Sequence, residues 1–95
     1  MAHPDLQPPW GELVGQAVVL DLASPFVYVG RLAGQQGEYL LLEDADAHDL
    51  RDTSTTRERY VQDTREHGIR ANRRRVWVAL REVVGVSALS DVLDA

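Results

Sequence analysis

Two-residue alternation of apolar and polar positions runs through the first half of this chain, breaks down in the middle and returns near the end. From Gln16 to Leu22 the run is valine-rich, with Val18, Leu20 and Leu22 on one face and Asp21 on the other, the period of a half-buried strand. Ala23-Ser24-Pro25 makes a turn. Phe26 to Ala33 forms a second β-rich run, and its internal Gly30 predicts a bulge or sharp bend. Gly34-Gln35-Gln36-Gly37 is a tight connection into a third strand, Glu38 to Glu43, with Leu40 and Leu42 on one face. Short turns between these runs favour an antiparallel meander. Arg75 to Leu80 and Val83 to Leu89 read as two further strands, separated only by Arg81-Glu82, so the chain turns abruptly there.

The segments between and around the strands read differently. Asp44 to Thr53 is polar and acidic with no periodic apolar face, which predicts a loop. Thr55 and Glu58 match a capping box, so a helix is expected over about 56–67, with Gly68 as its left-handed stop and Ile69 available for the contact beyond it. The apolar stripe of that helix is thin (Tyr60, Val61, Thr64 and the ring of His67), which places it on a surface. Arg70 to Arg74 reads as a basic linker, residues 1–9 as a loose start, Pro8 to Gly15 as a single helical turn, and residues 90–95 as an acidic tail. Five short strands with tight connections bury their apolar faces and protect their edges most easily by bending into a small barrel. The sharpest bend would fall at Gly30.

Length and composition narrow the class. Ninety-five residues make one domain, residues 1–95, and 44% hydrophobic with 26% charged residues is a folding composition. The absence of cysteine removes a disulfide framework, a thiolate zinc site and a cysteine nucleophile together. Apolar runs are far too short to span a membrane, and no basic stretch followed by an apolar one opens the chain, so a soluble cytoplasmic domain without membrane partners is expected. Catalysis finds no motif: Gly85-Val86-Ser87-Ala88 lies in a strand pattern rather than a nucleophile elbow, and a chain without lysine has no phosphate-binding Lys loop. The reading is of a non-enzyme without a cofactor. Asp44, Asp46, Asp49 and Asp52 have the look of a calcium loop, but His48 stands at its fifth position, Asp49 replaces the glycine at its sixth and Thr55 the glutamate at its twelfth. His48 and His67 have no zinc-ligand spacing either, so no metal is expected.

Charge is segregated along the chain. All ten basic residues are arginine; residues 1–49 carry −7, residues 50–81 carry +5 and the remainder −3, for a net −5. An overall pI near 5.0 argues against a general nucleic-acid binder but leaves room for a local basic patch. The most concentrated charge is Arg70-Ala71-Asn72-Arg73-Arg74-Arg75, a set able to contact phosphates, with Asn72 able to reach a base edge. Arg81, Arg65 and His67 join it if the helix folds back, and Trp77 and Tyr60 are the aromatics that could stack beside it, although a Trp within a strand is more often a core or interface side chain. The competing reading has these arginines pairing with the acidic stretch Glu43 to Asp52, which would consume the patch at little gain in stability.

The chain resembles the Sm-like (LSm) family. Val18-Val19-Leu20-Asp21-Leu22, then Val29-Gly30-Arg31-Leu32-Ala33-Gly34, then Leu40-Leu41-Leu42-Glu43-Asp44 looks like the first Sm motif, and Val76 to Val86 is similar in shape to the second. Trp10 to Val14 sits where the family places its leading helix, and residues 45–75 would be the variable segment between motifs, long for the family. The resemblance implies a mainly β fold: a bent five-stranded antiparallel barrel with a short N-terminal helical turn and one helix inserted between strands 3 and 4. It also implies homo-oligomers formed by pairing the fourth strand of one subunit, here 76–80, with the fifth of the next, here 83–89. Many members bind single-stranded RNA through an Asp and an Asn before the third strand and an Arg-Gly pair before the last. This chain departs from both: the loop is Gly34-Gln35-Gln36-Gly37-Glu38-Tyr39, and Arg81 is followed by Glu82. Two functions are therefore expected, an oligomeric assembly or protein-interaction module and, alternatively, a single-stranded RNA binder using Arg70, Asn72, Arg73, Arg74, Arg75 and Arg81.

Overall fold

A glycine and a bulge placed opposite each other bend the sheet on which everything else is mounted. The computed structural model describes residues 8–94, so the loose start and the end of the acidic tail lie partly outside the described residues. Within them run five strands, β1 (Ala17–Leu22), β2 (Phe26–Gln36), β3 (Tyr39–Asp49), β4 (Arg73–Ala79) and β5 (Val83–Ala88), and one helix, α1 (Arg57–His67). A 3-10 turn, Pro9–Leu13, precedes the strands, with proline at its first position as expected. All pairings are antiparallel and the order is β4-β3-β2-β1-β5, so β4 and β5 are the two ends of an open sheet and the expected barrel is not closed, because no ladder joins these two strands.

The bend lies at Gly30. Register passes from Val29 opposite Asp46 to Arg31 opposite Glu43, so Asp44 and Ala45 together face Gly30, and Asp44 takes a positive φ of 49°. A Cβ on Gly30 would lie 2.7 Å from Ala45 Cβ and 2.9 Å from Ala45 Cα. Glycine is required here for space, since the φ of Gly30 is not positive. The hairpin at the other end of these strands needs glycine for its dihedral: Gln36 pairs with Tyr39 across Gly37-Glu38, and Gly37 has φ 58° at the first central position.

Alternation along the strands separates the apolar residues into two cores, one on each face of the bent sheet. Val18, Leu20, Leu22, Leu32, Leu40, Leu42, Ala45 and Val78 fill the inside of the curve, closed by Trp10, Leu13, Val76 and Val86. Val19, Val27 and Val29 emerge on the other side of β1 and β2, where α1 covers them with Val61, helped by Ile69 and Val92. Val19 thus makes the face shared with Asp21 a second buried surface.

Several expectations are corrected in this region. Asp44 to Asp49 is not loop but the second half of β3, because Phe26, Val27, Tyr28 and Val29 offer it a complete ladder in the register Phe26–Asp49 to Val29–Asp46. Arg73 and Arg74 are strand rather than linker, Arg73 pairing with Ala45. Gly34 to Gln36 likewise extend β2. The helix cap is Thr56, whose Oγ1 accepts from the Arg59 N–H at 3.2 Å, one residue later than Thr55. Gly68 does end the helix, at φ 93°. His67 is exposed, while Gln62, outside the expected stripe, is buried and donates to the Leu93 carbonyl at 3.2 Å. The acidic tail is partly anchored, since Arg65 donates to the Val92 carbonyl and pairs with Asp94.

Polar contacts also hold α1 to β3. The Tyr60 ring stacks on His48 at 3.9 Å between centroids and 5° between planes, and its hydroxyl donates to Asp46 Oδ2 at 2.5 Å. Burial, and then the hydrogen bond to an ionised neighbour, push the Tyr60 phenol well above its ordinary value.

Two outcomes follow from this packing. Gly30→Ala should lower the unfolding free energy by ~1–3 kcal/mol, the range for overpacking, as read by urea titration; an unchanged midpoint would mean that Ala45 yields. Tyr60→Phe should cost ~1–2 kcal/mol at neutral pH through removal of the hydrogen bond to a carboxylate. Because the folded phenol holds its proton longer than the unfolded one, this contribution is complete below pH ~10 and declines above it, so wild type and Tyr60→Phe should converge in stability as alkali is added.

Candidate functional site

Strand β4 combines a core face with a chemically distinct outer one. Val76 and Val78 turn inward, so alternation sends Arg73, Arg75 and Trp77 outward together, while Arg74 shares the side of Val76 but lies beyond the core and is exposed. Trp77 is 48% exposed, and its Nε1–H donates to Gln36 Oε1 at 2.7 Å, reaching across β3 to β2. The Arg75 guanidinium lies 5.9 Å from the Trp77 ring centre, at the outer limit of a cation–π contact. Tyr39, 42% exposed, sits opposite Ala79 at the far end of the same strand pair.

The arginines divide into two sets. Arg31 pairs with Glu43 at 2.7 Å, Arg51 with Asp49 at 2.8 Å, Arg57 with Asp21 at 3.1 Å, Arg59 with Asp63 at 3.5 Å, and Arg65 with Asp94. Among the described residues, Arg70, Arg73, Arg74, Arg75 and Arg81 form no ion pair with a carboxylate. Three acids of the stretch Glu43 to Asp52 are engaged elsewhere. Glu43 faces Arg75 in register but is held by Arg31, and Asp46 is bound by Tyr60 and Asn72. The guanidinium and backbone N–H of Arg51 hold the Asp49 carboxyl down at about 2.

The six residues singled out from the sequence do not form one patch. Arg73 and Arg75 share the outer face of β4. Arg70 lines a polar cleft of about 590 Å³ between α1 and β3, with Asp46, His48, Tyr60 and His67. Arg81 lies in the 3-10 turn Leu80–Glu82, beyond the opposite end of β4 from Arg73 and ~20 Å or more along the strand. Asn72 is used within the fold: its Oδ1 accepts from the Ala47 N–H at 2.9 Å, and its Nδ2 donates to Asp46 Oδ1 and to the Ala47 carbonyl, each at 3.1 Å. It continues the β3–β4 ladder with a side chain where the backbone pairing ends.

The other end of the sheet is apolar. Beside β5 lies a groove of about 420 Å³ lined by Trp10, Leu13, Leu80, Val83, Val84 and Val86. Register slips between Asp21 and Leu22 of β1, leaving Val84 unpaired as the bulged residue and 70% exposed. Sequence reading placed a strand here but had no signal for the bulge, which depends on how β1 pairs. Among the described residues no cluster of His, Cys, Asp or Glu is arranged to hold a metal, and no helix is long and apolar enough to cross a membrane.

This geometry has counterparts among solved proteins. An Sm protein of Pyrococcus abyssii, solved in complex with a uridine heptamer, superposes with a TM-score of 0.57 at 15% identity over 86% of this chain and 99% of its own. An Sm-like protein of Archaeoglobus fulgidus gives 0.56 at 14% identity over 93% of this chain and 96% of its own. No family model and no curated protein sequence matches. The chain has the Sm-like fold, with one helix between its third and fourth strands.

Proposed function

We propose that this chain is a non-enzymatic, cytoplasmic assembly module that forms homo-oligomers by pairing β4 of one copy with β5 of the next. The observation that carries the reading is the open sheet. Each end strand has one paired edge, β4 with β3 and β5 with β1, and the other edge presents backbone donors and acceptors that a like chain satisfies. Joining two different edges is a head-to-tail contact, which closes into a ring when the rotation between copies allows. The groove beside β5, with exposed Val84 at its rim, supplies apolar surface for the incoming strand.

A second reading, single-stranded RNA binding, is favoured by one specific observation: the arginines of β4 have no carboxylate partner among the described residues, although the chain as a whole is acidic. Arg70, Arg74 and Arg81 would add to the attraction from their separate positions, while Asn72 is occupied. The uridine complex of the Pyrococcus abyssii protein is consistent with this reading. The departures at Gly34–Tyr39 and at Arg81-Glu82 favour a contact outside the loops that the family uses.

Native mass spectrometry of protein prepared without nuclease tests both readings. A discrete homo-oligomer is expected, and Val84→Glu should weaken self-association roughly tenfold or more while leaving the far-UV circular dichroism unchanged. Co-purifying nucleic-acid mass would add the second function. A bare monomer at micromolar concentration would overturn the assembly reading.

A further inference from the structure

We propose that the outer face of β4 is a stacking site for single-stranded nucleic acid, in which the Trp77 indole takes a base and Arg73 and Arg75 take neighbouring phosphates. The inference rests on the RNA reading above and gives it a location. An indole nearly half exposed on a regular strand is already oriented, because its N–H is fixed by Gln36 and its ring lies beside Arg75. Little freedom is left to lose when a base lands on it. Arg73 and Arg75 lie ~7 Å apart along the strand on the same side as the ring. The nearest carboxylate in register, Glu43, is already held by Arg31.

Charge complementarity and an open aromatic face together favour a nucleic acid over an acidic polypeptide. A polypeptide carboxylate would satisfy the guanidinium groups but leave the indole without a stacking partner, whereas a nucleotide strand engages both. Edge pairing of β4 in an oligomer would leave this face accessible, since strand side chains stand perpendicular to the sheet. The indole N–H, the one polar group of the ring, is taken by Gln36, and the two guanidinium groups are assigned to phosphates, so stacking and charge carry the binding. Binding should tolerate sequence changes.

Fluorescence provides the test, with oligouridine and oligoadenylate as probes at low salt and polyglutamate of equal charge as control. In a Trp10→Phe background Trp77 is the sole indole, since the chain has two tryptophans. RNA should quench it and polyglutamate should not. Anisotropy of labelled RNA gives the affinities directly on the wild-type background: Trp77→Ala should weaken binding roughly tenfold and Trp77→Phe much less. The double variant Arg73→Ala, Arg75→Ala should flatten the log–log salt dependence by ~1.4, about 0.7 for each phosphate that is no longer neutralised. Absence of RNA binding at low salt would end both this site and the RNA reading. RNA binding that neither quenches Trp77 nor weakens in Trp77→Ala would leave the RNA reading and overturn the site. Equal affinity for polyglutamate would make the face a general polyanion surface and overturn it as well.

Discussion

The close approach of Gly30 to Ala45 is the constraint on which the rest of this molecule depends. Any side chain at residue 30 would occupy the space of the Ala45 methyl group, and the extra residue at Asp44 lets β3 follow the turn that β2 makes. With the bend in place, one continuous sheet serves two cores, one inside its curve and one beneath α1. The pairing order leaves β4 and β5 at the two ends of the sheet, not paired with each other, and those ends are the surface that a partner would meet.

Charge follows from this architecture in a way that its linear distribution conceals. Acidic and basic segments that look complementary along the chain are not matched in space. The bulge and the second half of β3 place Asp46 against Tyr60 and Asn72, where it serves to dock the helix and extend a ladder. Arg31 reaches Glu43 from β2 before Arg75 can from β4. What remains is a local basic surface on an acidic protein, and attraction at short range depends on that surface more than on net charge, because salt screens distant carboxylates. Exposed pairs such as Arg59–Asp63 add little stability.

Where a property was set by neighbouring residues, it was legible in the sequence. Leu20, Leu22, Leu40 and Leu42 announced their strands by period, Gly30 its bend, and Gly68 the helix end. The helix cap was displaced by one residue because Thr55 and Thr56 both suit it and only the backbone decides. Properties set by distant residues were not legible. Asp44 to Asp49 has the composition of a loop and becomes strand because Phe26 to Val29 is there to pair with it. Asn72 looked like a recognition residue in a run of arginines, and its role is fixed by Ala47, 25 residues earlier. Arg73 and Arg75 read along the chain as one patch with Arg70 and Arg81; strand geometry separates them from those two and sets them on one face with Trp77, one of the two aromatics that the sequence offers for stacking.

Hydrogen–deuterium exchange of the intact protein at low and high concentration reads the two strand edges themselves. Amides of β4 and β5 should become markedly slower to exchange as concentration rises, while those of β2, paired on both sides within one chain, should not change. Exchange in β4 and β5 that is independent of concentration over a range reaching well into the micromolar would contradict edge pairing between copies, since the edges would then have no partner in a second copy.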